Sequence, residues 1–257
     1  MDKIENVIDK VLNNKWKLTF NEEFKDLSNW NFEHGFVRNN ELQYYTDNNY
    51  ILNENGLTII GKKERLKNEN YDFDSENWIL NREYSEVTST SITTRNKFNF
   101  KNGYIEAKIK MPIGKGTWPA FWLLGNNNHW PDCGEIDIME YLGRTKDIIY
   151  HNAHSKNHIC KPYNSFKEEI SNVTTNYHTY GLYKNEDILE FYVDRKLCGR
   201  LVRKKDYDLT NDWPFNGEFY IILNLALGGD WAKELDMDSL PAYYSVSYVK
   251  VWEEVSF

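Results

Sequence analysis

The segment GEIDIMEYLG carries three carboxyl side chains, Glu135, Asp137 and Glu140. Its apolar and β-branched neighbours, Ile136, Ile138 and Met139, read as a strand. Residues two apart on a strand share a face, so Glu135 and Asp137 point the same way. Glu140 lies an odd number of places from both, the wrong parity for a regular strand. One extra residue near Ile138–Met139, a β-bulge, returns Glu140 to the face of the other two. Three acids in a row repel one another, so their protonation is coupled and at least one proton is held above its usual pKa. One ionised and one protonated carboxyl suit glycoside hydrolysis: the first attacks the anomeric carbon, the second protonates the departing oxygen. Retaining enzymes hold these groups roughly 5 Å apart. Long Glu side chains leaning together over a concave sheet supply much of that approach. The bland alternative is a solvated edge strand with its acids outward. The apolar residues between the acids, and the tryptophans just before them, argue against it.

The elements that position the acids read as strands. Alternation recurs through Thr88–Met111, with Gly103 between two strands and Pro112 and Gly114 ending the second. Further strands read at Trp16–Phe20, Gly56–Ile60, Asp147–Ser155, Asn176–Arg203, Pro214–Leu227 and Tyr243–Glu253. Many short alternating runs with frequent turns predict an all-β fold, a β-sandwich. Residues 2–12 place Ile4, Val7, Ile8, Val11 and Leu12 at helical spacing, which gives residues 1–14 as a leader or short N-terminal helix. Residues 15–257 then form a single catalytic sandwich domain. Lys62 to Ser85 is charged, lacks periodicity and reads as a long loop, with Trp78 pinning it to the surface or, as the alternative, reaching the cleft as a stacking platform.

Tryptophan rings match the apolar faces of pyranoses and carry an N–H for a hydroxyl. Trp118 and Trp122 flank Pro119 and read as one cleft residue and one core residue. Trp130, before Pro131 and the acids, and Trp231, in the turn Gly228-Gly229-Asp230-Trp231, are stacking candidates. His151 and His154 are three apart and so on opposite faces, which argues against a zinc pair.

Composition narrows the partners. The chain has 257 residues, nine Trp and eighteen Tyr, enough for a large core. Its net charge of −8, without a basic block, disfavours nucleic acid and acidic lipid and suits a neutral polymer. No apolar run approaches the ~20 residues of a membrane span. Cys133, Cys160 and Cys198 show no metal spacing, and free thiols are expected.

GEIDIMEYLG also resembles the Glu-x-Asp-x-x-Glu motif of glycoside hydrolase family 16, in the bulged form of its laminarinase branch. The resemblance extends to KWKLTFNEEF, NNELQYYTDNN, the run from STSITTRNKF to FWLLG, YHTYGLYKNEDILEFYVDRK and LNLALGGDW. It implies a jelly roll of two antiparallel sheets with a concave, open cleft. It implies Glu135 as nucleophile, Asp137 as its helper and Glu140 as general acid/base. Trp118 becomes a cleft residue, His154 a partner of the acids, and Asn40 and Tyr45 sugar contacts. The implied activity is a retaining endo-β-1,3-glucanase working as a monomer on a polysaccharide, without cofactor. Mixed-linkage β-1,3-1,4-glucan and a galactan are rival substrates. A carbohydrate-binding module and a transglycosylase are rival activities. Laminarinases often hold a structural calcium through an Asp in the last strand. Ser247 stands there in this chain, which puts the calcium in doubt and leaves no metal expected. The expected place of work is extracellular, although residues 1–16 lack the pattern of a signal peptide and cytoplasmic residence stays open.

Overall fold

The computed structural model describes residues 16–127, 129–159, 161, 164–203 and 212–254. The helix expected within residues 1–14 lies outside them, as does Cys160. Among the described residues, the chain opens with β1 (Trp16–Glu22), β2 (Asn31–Phe32), β3 (Tyr44–Tyr45), β4 (Tyr50–Asn53) and β5 (Gly56–Lys67). It continues with β6 (Tyr84–Ser89), β7 (Ser91–Thr93), β8 (Gly103–Lys110), β9 (Thr117–Gly125), β10 (Glu135–Tyr141) and β11 (Ile148–His154). It ends with β12 (Ser165–Glu169), β13 (His178–Lys184), β14 (Ile188–Val193), β15 (Lys196–Val202), β16 (Phe219–Leu227) and β17 (Ala242–Glu254).

These strands make two sheets. The smaller runs β12-β11-β10-β9-β16-β7-β2 and carries the three acids at its centre. The larger runs β15-β14-β13-β8-β17-β5-β6-β3, with β1 added to β17 and β4 to β5. The pairings are antiparallel except for the two-residue contact of β3 with β6, which is parallel. The last strand is not at a sheet edge: β17 pairs with β5 on one side and β8 on the other, inside the larger sheet. The turns Lys184-Asn185 and Asp194-Arg195 join β13 to β14 and β14 to β15. Asp194 and Arg195 both have positive φ (46° and 63°), the conformation that lets a two-residue hairpin follow the strand twist.

One apolar core fills the space between the sheets. Phe121, Leu123, Ile136, Ile138, Met139, Leu223 and Leu225 enter it from the smaller sheet. Leu57, Ile59, Ile105, Ile109, Val249 and Val251 meet them from the larger one. Every residue of β16, FYIILNLAL, is buried, because this strand is covered by the core on one face and by the cleft residues on the other.

The region expected as a loop from Lys62 to Ser85 is partly strand. β5 extends to Lys67 and β6 starts at Tyr84, so the chain forms a hairpin with residues 68–83 at its tip. Asn68 closes that tip, its amide donating to Ile79 O (2.8 Å) and Arg82 O (3.0 Å).

Candidate active site

The bulge deduced from the spacing is present on β10. Against β11, Asp137 faces Asn152 and Glu140 faces Tyr150, so His151 alone stands opposite Ile138 and Met139. Against β9, Asp137 faces Trp122 and Met139 faces Phe121. Ile138 is therefore the extra residue: it is skipped in the register with β9, and on the β11 side it shares the place opposite His151 with Met139. Ile136, Ile138 and Met139 go into the core, while Glu135, Asp137 and Glu140 line a cleft of about 300 Å³. Gly134 allows the chain to enter β10 sharply. Its φ is +79°, and a Cβ there would meet Pro214 Cγ at 2.7 Å.

Each acid has partners. Glu140 Oε1 accepts from Trp118 Nε1 at 2.9 Å, and Oε2 from Asn152 Nδ2 at 2.6 Å. His154 Nε2 lies 3.3 Å from Asp137 Oδ2 and 3.9 Å from Glu135 Oε1. Burial pushes the Glu135 carboxyl up to about 8, and the neighbouring Asp137 charge adds to the rise. Against it act the charges of His154 and Arg38 and a hydrogen bond from Trp130. Burial likewise raises Asp137. Glu140 is raised well above the usual carboxylate range, by burial first and by Asp137 second. Crowded, half-dry carboxyls that hold protons near neutrality are the raw material of acid–base chemistry.

The aromatic residues divide differently from expectation. Trp118, Ala120, Trp122 and Leu124 alternate along β9 and all line the cleft. Trp122, read from the sequence as core, therefore sits on the cleft side, as period two requires for residues four apart. Its Nε1 donates to Asn224 Oδ1 at 2.7 Å, and the Arg38 guanidinium lies 5.2 Å above its ring. Trp130 lines the cleft and is 51% exposed, open to a ligand. Trp231 meets Trp118 edge-on (5.2 Å, 82°) and also meets Tyr150 (5.1 Å, 69°).

One expected sugar contact is corrected. Tyr45 is fully buried, so its ring cannot touch a ligand in the cleft. Its hydroxyl donates to Glu41 Oε2 (3.2 Å) and accepts from Asn224 Nδ2 (3.0 Å), supporting the cleft floor from beneath. Asn40 is exposed and turned to Asp230, donating to Oδ2 at 3.0 Å. Its neighbours Asn39 and Glu41 line the cleft. Both asparagines hold positive φ (57° and 51°), a conformation their short amides tolerate better than most side chains.

Three groups escaped the sequence reading. Arg38 lines the cleft and pairs with Glu33 at 2.6 Å. Asn152 holds Glu140, and its place two before His154 on a strand puts it on the same face, a signal that was available. Arg82 donates to Glu41 O at 2.7 Å while its guanidinium stacks near Trp78 (4.7 Å) and Phe36 (5.3 Å). The hairpin tip thus holds the Asn39–Glu41 turn, and Trp78 serves that contact.

Cys133 and Cys198 are free thiols. Among the described residues, the one group of three or more acids, imidazoles or thiols tight enough to share an ion is Glu135, Asp137 and His154, within 4.8 Å. A structural calcium does not fit at Ser247. That residue brings one neutral hydroxyl, and among the described residues the one group tight enough to share an ion lies elsewhere, at Glu135, Asp137 and His154.

Residues 39–247 match the model described as glycosyl hydrolases family 16. The chain belongs to that family. Over 264 aligned residues it is 31% identical to a β-glucanase of Rhodothermus marinus, covering 93% of this chain and 86% of the relative. The laminarinase catalytic domain of Thermotoga maritima superposes with a TM-score of 0.83 at 34% identity, covering 94% of this chain and 99% of the other. A structure from work on endo-acting O-glycanases of the human gut microbiota that initiate mucin breakdown gives 0.86 at 31% identity, covering 94% and 92%. The sandwich is the jelly roll of this glycoside hydrolase family, and the chain is one of its enzymes. No helix among the described residues is long and apolar enough to cross a membrane.

Proposed function

We propose that this protein is an endo-acting β-1,3-glucanase that cleaves laminarin-like chains with retention at the anomeric carbon. One observation carries the reading: the bulge at Ile138 sets Glu135, Asp137 and Glu140 along one wall of a cleft edged by Trp118 and Trp130. In the first step a Glu135 carboxylate oxygen bonds to the anomeric carbon. The bond from that carbon to the leaving oxygen breaks, and Glu140 gives that oxygen its proton. In the second step Glu140, now ionised, takes a proton from water. The water oxygen bonds to the anomeric carbon and Glu135 departs.

The three acids share fewer than three charges. Glu135 is the one that the scheme needs ionised, and His154, Arg38 and Trp130 all favour its anion. Asn152 suits Glu140 in both states: its amide N–H serves the anion, and its carbonyl, after a flip, accepts from the acid. Asp137, between the two and beside His154, holds a proton for the pair and orients the nucleophile. Trp118 and Trp130 offer rings to neighbouring glucosyl units. The catalytic sandwich works as a monomer outside the cell, where a polymer substrate can reach it.

The likeness to the structure from work on gut O-glycanases favours a second reading in which the cleft takes a mucin O-glycan. Mixed-linkage glucan is a third substrate within the same chemistry. A panel of laminarin, lichenan, agar and mucin glycans, with chromatography of the products, separates them. The proposal expects short β-1,3-linked oligosaccharides of mixed length from laminarin. Exclusive release from agar or mucin overturns the glucan assignment.

A further inference from the structure

We infer that His151 is a positioning residue, holding the bulge that determines where Glu140 stands; this rests on the role proposed for Glu140. The extra residue of a bulge drops out of the ladder and leaves its backbone groups to find other partners. Here Ile138 is skipped in the register with β9 and has no ladder partner of its own on β11, where it shares the place opposite His151 with Met139. Its carbonyl oxygen accepts instead from His151 Nδ1, at 2.6 Å. His151 occupies the position on β11 that faces the bulge, between Asn152 opposite Asp137 and Tyr150 opposite Glu140.

The environment of the ring is otherwise that of an apolar residue. His151 has no exposed surface and its ring lies 5.4 Å from that of Phe191. Burial pushes it down to about 4, so the imidazole is neutral and carries a single ring proton. That proton belongs to Nδ1, because a carbonyl can only accept. Nε2 is buried without a hydrogen-bond partner. An apolar ring would fill this space without the cost of drying two nitrogens. The feature that an imidazole adds is the one N–H directed at Ile138 O.

The alternative to the bulge is a strand in regular register. Because side chains alternate, regular register would turn Glu140 to the core face and away from Glu135. In that register the Ile138 carbonyl would return to the ladder and His151 would lose its acceptor. The hydrogen bond therefore exists only in the bulged arrangement and favours it. His151 touches no substrate atom; it acts through the backbone beneath Glu140.

The test compares His151→Leu with His151→Asn. Leu and Asn have nearly the same shape, so both leave a similar cavity, but only Asn keeps an N–H near the site of Nδ1. Two substrates are used: a β-1,3-glucan, and a dinitrophenyl β-glycoside of the same oligosaccharide, whose leaving group needs no proton. Expected for His151→Leu is a fall of about 100-fold in kcat on the glucan with little change in KM, the scale of lost general-acid help. On the activated glycoside kcat/KM should fall less than about 3-fold. His151→Asn should recover most of the loss on the glucan. Equal losses on both substrates, or no difference between Leu and Asn, overturn the inference. Inactivity of the unaltered protein on every glycan would instead strike the proposed function. A measurement on the unaltered protein needs no variant to fold. Ring-nitrogen chemical shifts at neutral pH should show His151 protonated at Nδ1, and the Nε2–H tautomer would overturn the assignment.

Discussion

The indole N–H of Trp118 donates to Glu140 Oε1 at 2.9 Å, joining a candidate sugar platform to the candidate proton donor. The two residues sit on neighbouring strands, Glu140 facing Ala120, two places from Trp118. The bond favours the ionised form of Glu140 and opposes the rise imposed by burial. Trp118→Phe keeps a ring against the ligand and removes the N–H. The Glu140 carboxyl should then hold its proton to higher pH. The basic limb of the kcat/KM profile should move up. An unmoved limb, read from rates between pH 4 and 9, would detach Trp118 from the acid.

The raised Glu135 carboxyl makes the fold less stable as pH rises. Glu135 titrates near 8 in the folded chain. An unfolded Glu titrates near ~4.3, so the folded state binds the extra proton between those values. The stability from this group is complete below the unfolded pKa and is lost as pH rises toward 8. Glu135→Gln removes that loss. Its Tm should exceed that of the unaltered protein at pH 8 by a few degrees, ~1 kcal/mol being worth about 2–4 °C for a chain of this size. The gap should close near pH 4. Calorimetry at both pH values checks this, and a pH-independent gap would contradict it.

Arg82 reaches from the hairpin tip to the backbone of the turn that brings Asn39 and Glu41 into the cleft. Arg82→Ala should loosen that turn without touching the acids. KM for oligosaccharides should rise about 5-fold, the equivalent of ~1 kcal/mol, with kcat nearly unchanged. Steady-state kinetics on a defined oligosaccharide decide it. A fall confined to kcat would place the turn in the chemistry rather than in binding.

Tyr45 is fully buried with its hydroxyl between Glu41 and Asn224. Tyr45→Phe leaves those partners short of one hydrogen bond each, beneath a site that water reaches poorly. The expected loss is ~1–3 kcal/mol, seen as a Tm lower by roughly 3–10 °C. A variant as stable as the parent would show that the hydroxyl network contributes nothing.

Much of the site was readable because strand parity is a strict rule. The odd spacing from Asp137 to Glu140 demands an irregularity if the acids are to cooperate, and the bulge at Ile138 supplies it. The same rule applied to Trp118 and Trp122 would have placed both in the cleft. It was missed because TWPAFWLLG is apolar on both faces, so polarity does not say which face is the core. Tyr45 and Arg38 belong to a network in which Glu33 and Glu41 are near neighbours in the chain, while Trp122 and Asn224 reach it from distant parts of the sequence. Local pattern carries no trace of such pairings. Nor does it reveal that β17 lies between β5 and β8, since strand order is set by packing across the whole sandwich.

The division of labour between Glu135 and Glu140 is tested most directly with azide. Glu135→Ala and Glu140→Ala are each given an activated aryl β-glycoside and azide, and the glycosyl azide formed is examined by proton NMR. Without its nucleophile, Glu135→Ala should yield the α-azide by single displacement. Glu140→Ala, still forming the covalent intermediate, should yield the β-azide. Reversed anomers, or the same anomer from both, would contradict the account.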